Sequence, residues 1–303
     1  MTRIITFEEA DPVLDWIALT DYLVQAHRLP KAKIADTFLY RGDDTLLSRS
    51  AWIDGLGVAV KSATIFPANP AQDLPMVNGA VSLFSDTTGQ LDALIDFHLI
   101  TKWKTAGDSL LAARLLARPD SRNIVILGAG TVCENLIAAY GAVFPEARFS
   151  VWNRTRARAE ALVARMPGVR VVEDLPAAVA AADIVACATM SRTPVLCGDW
   201  LSAGTHVDLI GAYRPDMREA DDAALQRSSL FVDSFETTIN HIGELMIPLE
   251  SGAIARSDVV ADFYDHEAFT RTNEAQITIA KNGGGAHLDL MTCRYVVAAL
   301  AGQ

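Results

Sequence analysis

From Ile124 to Leu136 the sequence reads IVILGAGTVCENL. Four apolar residues run directly into Gly-Ala-Gly, and a helix-forming stretch follows without a loop. A buried strand that turns this sharply into a helix belongs to a parallel β-α-β unit. The alternation then repeats. RFSVWNRT is a second strand and RARAEALVARM a helix that stops at Pro167-Gly168. VRVVED, AADIVACAT, THVDLIGA and SLFVDS continue as the third to sixth strands, and AQITIAKN has the composition of a last one. Strands alternating with helices predict an α/β fold, a doubly wound parallel sheet of the Rossmann type, over residues 119–283.

Residues 1–118 read differently. Thr6 to Glu9, TFEE, has capping-box spacing and predicts a helix running to about Arg28. From Lys33 to Asp96 the apolar residues recur every second position, with DTTGQ as a hairpin turn. FHLITKWKTAGDSLLAARLLARPD is helical and stops at Pro119. The expectation is a mixed α+β domain, completed by a C-terminal helix over 284–303 that crosses back to it.

The formal net charge of −11 and a pI near 5.0 argue against a nucleic-acid partner, which needs a basic face. The four cysteines carry no CxxC pair, so no zinc site is expected, and they read as buried thiols in a reducing compartment. No apolar run approaches the roughly 18 residues of a membrane span. The start of the chain has no signal-like stretch. The expectation is a cytoplasmic protein without membrane partners.

A GxGxx[GA] pattern alone is weak. Here a strand precedes it, a helix follows, and a second strand ends about 20 residues on, which is the context a dinucleotide fingerprint requires. Gly128 permits the tight turn, and Gly130 lets the backbone approach a pyrophosphate. Ala129, Thr131 and Val132 complete the loop and helix start, and Cys133 takes the place of the third glycine. The second strand ends in Asn153-Arg154-Thr155, where an NAD-binding domain usually places an acid for the ribose hydroxyl. A guanidinium at Arg154 would instead pair a 2′-phosphate, with Arg156 and Arg158 adding charge. NADPH is therefore the expected cofactor, with NADH as the alternative. The competing readings are a generic strand-to-helix turn and a solvated Arg154. Ligands of open α/β sheets sit beyond the strands' carboxyl ends. That places Thr189 and Met190, after the fourth strand, and Gly211-Ala212-Tyr213, after the fifth, beside the nicotinamide half.

Lys61 interrupts the alternating strand GVAVKSATIF on the face it shares with Ala59 and Ala63. A lysine there is costly unless it is paired or binds an anion, although snorkelling to the surface is common. Arg49 and Lys104 are further cations in apolar surroundings. Thr101 and Thr105 share one helix face. Converging cations beside a dinucleotide site suggest a substrate carboxylate. His287 and Asp289 open the last helix. Glu219 and Asp221 read as capping and solvating the next helix. The segment around His241 and Glu244 reads as structural.

The segments GVAVKSATIFPAN, DTTGQLDALID, LITKWKTAGDSLLAARLLA, IVILGAGTVCENL, ADIVACATMSRTPVL, THVDLIGAYRPDMREAD and ITIAKNGGGAHLDL occur in one order from about Arg49 to the end. Together they resemble the ornithine cyclodeaminase/mu-crystallin family. The resemblance implies a homodimer whose first domain, with the last helix, forms the dimer and the substrate wall. It implies that Lys61 contacts the substrate carboxylate, with Arg49 and Lys104 as further substrate ligands. Thr101 and Thr105 match the threonines of the family's T-x-x-R-T and are expected at the cofactor. Lys104 replaces the arginine of that motif and loses its bidentate fork.

The cyclodeaminases carry an acid/base Asp in the loop GGDxPGxxE. This sequence has Gly211-Ala212-Tyr213-Arg214-Pro215, with Tyr in the place of Asp. A phenol with an ordinary pKa of about 10 is a poor base at neutral pH. Reducing an already protonated C=N bond needs no such carboxylate. Tyr213 either hydrogen-bonds the imine or packs at the nicotinamide, and His287 is a further candidate proton donor. The GAYRPDMRE form resembles the branch that reduces Δ1-pyrroline-2-carboxylate to L-proline, and Δ1-piperidine-2-carboxylate to L-pipecolate. The alternatives are an alanine dehydrogenase-like enzyme, an ornithine cyclodeaminase, and a non-catalytic NADPH or ligand binder.

Overall fold

Pro12 breaks the first predicted helix. The computed structural model describes residues 2–302. After strand β1 (Arg3–Ile5) comes a single turn, α1 (Phe7–Ala10), capped by Thr6, whose hydroxyl accepts from the Glu9 amide. A 3₁₀ turn follows at Asp11–Val13, because proline can offer no amide to an α-helical ladder. Asp15 then caps a second helix, α2 (Trp16–Ala26), by accepting from the Ala18 amide. The expected single helix to Arg28 is therefore two.

The period-two region forms β2 (Lys33–Arg41), β3 (Asp44–Ile53), β4 (Gly57–Ile65), β5 (Val77–Phe84) and β6 (Leu91–Asp96), followed by α3 (Phe97–Leu116). Their order in one sheet is β1-β6-β5-β4-β3-β2, antiparallel except for the β1–β6 pair. Alternation in β4 buries Ala59, Lys61 and Ala63 on one face, as the period predicts. The C-terminal helix (Ala286–Ala301) packs on β3 and β4. Arg294 of that helix donates to the carbonyls of Leu56 and Phe84 and pairs with Asp92 at 2.9 Å. Residues 1–104 and 285–303 form this compact unit, and the division falls inside α3.

The second unit, residues 105–284, holds eight parallel strands: β7 (Asn123–Leu127), β8 (Arg148–Trp152), β9 (Arg170–Val171), β10 (Ile184–Cys187), β11 (His206–Leu209), β12 (Ser229–Val232), β13 (Val259–Asp262) and β14 (Thr278–Lys281). Between them run α4 (Thr131–Val143), α5 (Arg156–Val163), α6 (Leu175–Ala180), α7 (Asp222–Gln226), α8 (Phe235–Thr238) and α9 (Gly243–Ser251). The sheet order is β13-β12-β14-β11-β10-β7-β8-β9. β10, β11 and β14 are buried at every position, and Val185, Cys187, Val207, Leu209 and Ile279 join Val125, Leu127 and Val232 in one core. Strands covered on both faces tend toward apolar runs, as in β7 and β10, whereas β11 and β14 are equally buried but carry His206, Asp208, Thr278 and Lys281. Sequence reading missed β13. It also left open that the last strand enters the middle of the sheet, between β11 and β12. Among the described residues no helix is long and apolar enough to cross a membrane.

Candidate active site

The strand order of the second unit reverses between β7 and β10, and that switch point opens a crevice at the strands' carboxyl ends. Gly128 turns there with φ +119°, and a Cβ on it would meet the Ala188 carbonyl oxygen at 2.5 Å. Only glycine fits both demands. Gly130 is the N-cap of α4 and supplies no side-chain cap. A Cβ on Gly130 would project into open space, leaving the helix start, with Thr131 exposed, approachable by an anion. These are the demands of a dinucleotide pyrophosphate. Cys133, in the third-glycine position, is buried, and burial followed by the Glu134 charge pushes its thiol up to about 12. It is a packing residue.

At the end of β8, Asn153 donates to the Thr155 carbonyl at 2.9 Å and shapes the turn. Arg154 is exposed and makes no ion pair among the described residues, whereas Arg156 is taken by Glu160 and Glu173. Arg154, Met190, Arg192, Tyr213 and Arg214 line one cavity of about 470 Å³. Asp216 pairs both Arg192, at 2.9 Å, and Arg214, at 3.1 Å. Tyr213 is 58% exposed and available to a ligand. Thr189 directs its amide and hydroxyl away, to Glu219 at 2.7 and 2.8 Å.

Glu219 corrects the sequence reading. It does not solvate a helix but is fully buried, and its other oxygen accepts the Gly211 amide at 2.6 Å and the Ala212 amide at 3.2 Å. Burial, then the Glu244 charge, pushes its carboxyl up to about 7, against the pull of Lys281 and the Thr189 donors. Asp221 does cap α7, accepting from the Ala224 amide. Glu219 falls on the final Glu of the loop pattern GGDxPGxxE, but the acid-rich stretch around it reads as solvated.

In the first unit, Lys61 is buried and donates to Thr101 Oγ1 at 2.9 Å and Asp289 Oδ1 at 3.0 Å. The Phe97 ring lies 4.6 Å from its ammonium. Lys104, also buried, reaches Asp289 at 3.4 Å. Burial alone would raise the Asp289 carboxyl, but Lys104, Lys61 and Arg49 together hold it below the ordinary range. Arg49 stands directly opposite Lys61 across β3 and β4. Its guanidinium is committed to Asp36, with contacts at 2.9, 3.1 and 3.2 Å. Lys61 and Lys104 thus converge on the Asp289 carboxylate, which gathers two buried ammonium groups at one place. Such a cluster of ammonium groups has the chemistry to hold a carboxylate. Asp36 and the bridging role of Asp289 were not legible, because both pairings are long-range in sequence.

His287 does not fit the role of proton donor. Its ring is fully buried, edge-on to His27 with centroids 5.6 Å apart. Burial, then the Lys104 charge, lowers it to about 3, so it is neutral at physiological pH. Thr105 follows Thr101 one turn later on α3 and is half-buried. No group of three or more metal-ligating side chains occurs among the described residues.

The profile of the ornithine cyclodeaminase/mu-crystallin family matches residues 51–303. The Delta(1)-pyrroline-2-carboxylate reductase of Paracoccus denitrificans (strain Pd 1222) is 50% identical over 308 residues, covering 99% of this chain and 98% of that protein. The structure of the Thermococcus litoralis Delta(1)-pyrroline-2-carboxylate reductase in complex with NADH and L-proline superposes with a TM-score of 0.91 at 25% identity. It covers 99% of this chain and 98% of that one. An archaeal alanine dehydrogenase dimer with bound NAD gives 0.88 at 26% identity, over 99% and 96% of the two chains.

Proposed function

The chain belongs to the ornithine cyclodeaminase/mu-crystallin family, and from that premise we propose that it reduces Δ1-pyrroline-2-carboxylate to L-proline with a nicotinamide dinucleotide. Identity of 50% along nearly the whole chain to a reductase of that name supports the substrate. The observation that carries the choice within the family is Tyr213. An exposed phenol stands where the cyclodeaminases carry their acid/base Asp, while the loop's own carboxylates are committed, Asp216 to Arg192 and Arg214 and the buried Glu219 to backbone amides and Thr189.

The Gly128–Val132 turn and the α4 N-terminus would hold the pyrophosphate. When bound, the reduced nicotinamide would supply a hydride to the carbon of the already protonated C=N bond, which becomes CH–NH. Lys61 and Lys104 hold the substrate carboxylate and thereby orient the ring. Orientation of this kind removes several kcal/mol of barrier, on the order of 7 or more in well-aligned cases. The Tyr213 hydroxyl hydrogen-bonds the ring nitrogen. The six-membered Δ1-piperidine-2-carboxylate presents the same carboxylate and C=N bond and is a second substrate.

NADPH is the preferred cofactor in this reading, because Arg154 has no internal anion and stands at the strand end where a ribose 2′-phosphate is read. A homodimer is supported by the apolar edge of the first sheet. There Phe38, Leu39, Tyr40 and Trp52 are 48%, 62%, 73% and 52% exposed on β2 and β3, a liability that a second copy would cover. The cytoplasm supplies the reduced cofactor and a reducing setting for the four free cysteines.

Purified protein with Δ1-pyrroline-2-carboxylate and NADPH tests the reading. Loss of the reduced cofactor's absorbance with matching L-proline supports it. No turnover with either NADPH or NADH overturns it.

A further inference from the structure

One buried carboxylate anchors the ends of two neighbouring strands. Glu219 Oε1 accepts the amide and hydroxyl of Thr189, just beyond β10, and Oε2 accepts the amides of Gly211 and Ala212, just beyond β11. The two loops touch there, because a Cβ on Gly211 would overlap the Thr189 carbonyl oxygen at 1.9 Å. Lys281, at the end of β14, holds the same loop from its carbonyl side, donating to Leu209 O at 2.9 Å and Ala212 O at 2.8 Å. Its third bond goes to Asn282 O at 3.0 Å. Glu244 on α9 fixes the segment that carries Glu219, accepting the Glu219 amide at 2.8 Å and the Ala220 amide at 2.9 Å. All three ionisable groups are buried. Burying them is expensive, and an apolar filling would stabilise the sheet as well. What an apolar filling could not do is bind six amide and hydroxyl donors from three loop segments in one geometry.

We propose that Glu219, backed by Lys281 and Glu244, is a positioning residue that locks Thr189 and the Tyr213 loop into one preformed frame for the dinucleotide and the reacting bond. The kinetic part rests on the reduction proposed above; the positioning itself does not. The chemistry of the anchor makes the claim testable. Every group aimed at the Glu219 carboxylate is a donor, so both oxygens must accept. Glutamine of the same shape offers one accepting oxygen and one NH₂ group, which would confront two donors and release one of the two loops.

The test compares wild type with Glu219→Gln by NADPH titration, following energy transfer from protein tryptophan to bound cofactor, and by steady-state reduction of the cyclic imine. The expected result is NADPH affinity reduced at least fivefold and kcat reduced at least tenfold. KM for the imino acid should stay within about twofold, since Lys61 and Lys104 are untouched. Adding Glu219→Gln to Tyr213→Phe should cost less than adding it to wild type. A folded Glu219→Gln protein with wild-type NADPH affinity and kcat overturns the proposal. Hydrogen exchange on the wild-type apoprotein gives a second, independent measurement that no folding defect can obscure. The amides of Thr189, Gly211 and Ala212 should be strongly protected before any cofactor is added. Exchange at exposed-loop rates, with protection only after NADPH, overturns it equally. If wild type binds NADPH but leaves the imine unreduced, the substrate assignment fails, while the titration and exchange results still judge the positioning role.

Discussion

Lys61 and Asp289 lie 228 positions apart in the chain, and their charged atoms stand 3.0 Å apart in the first unit. The aspartate also reaches Lys104, so one carboxylate holds two buried ammonium groups. Removing its charge takes away the carboxylate that both buried cations share. Asp289→Asn is therefore expected to destabilise the protein by about 3–5 kcal/mol, read as a lower denaturant midpoint. Lys61→Met keeps Asp289 paired with Lys104 and should fold, but raise KM for the imino acid about 100-fold with NADPH affinity unchanged. An unaltered KM would remove Lys61 from substrate binding.

Tyr213 separates reduction from deamination. Tyr213→Phe keeps the ring and removes the hydroxyl, and kcat is expected to fall about 100-fold, the low end of the range for positioned proton donors. Steady-state rates across pH check this. Wild type should release no ammonia from L-ornithine; release would return the chain to the cyclodeaminases.

Arg154 decides between the two dinucleotides. Arg154→Ala should weaken NADPH about tenfold or more, the worth of a charge-assisted hydrogen bond, while leaving NADH affinity in place. Paired fluorescence titrations measure both. Equal losses would assign Arg154 to general electrostatics rather than to the 2′-phosphate.

His287 predicts an acid limit to stability. Burial and Lys104 hold its ring at about 3 in the folded state, against 6.5 when unfolded. The folded value is the lower one, so its contribution is full above pH 6.5 and lost as the pH falls toward 3. Between pH 6.5 and 4 the loss is roughly 3 kcal/mol. Melting temperatures of His287→Gln should therefore drop less over that interval than those of wild type. Parallel drops would place the acid sensitivity elsewhere.

The exposed apolar edge of β2 and β3 predicts the assembly. Leu39→Asp combined with Trp52→Lys should shift the protein from dimer to monomer in analytical ultracentrifugation. A wild-type monomer would rule the dimer out.

Much of this is legible in the sequence alone. The Gly128–Gly130 turn, the doubly covered strands and the buried face of Lys61 each leave a local pattern, because a tight turn, two-sided burial and a period of two are local demands. Pairings across the chain leave none. Asp36 with Arg49, Asp289 with two lysines, and Glu219 with Thr189 and Gly211 depend on strand order and register. Glu219 misled the sequence reading for that reason, since its neighbours in sequence are acids and its neighbours in space are amides. β13 escaped because four residues between irregular segments carry too little periodicity.

The place of β14 bears on how the protein is made. Residues 278–281 form an inner strand flanked by β11 and β12, both synthesised well before it. While the chain is still on the ribosome, the nascent sheet has a slot where that strand belongs, and β11 and β12 each present an open edge. Such edges pair readily with other chains. The last helix arrives later still, and it packs on β3 and β4, strands made long before it. The sheet of the second unit cannot close until residues 278–281 have been made, so a chaperone that shields open strand edges would matter most while β14 is still missing.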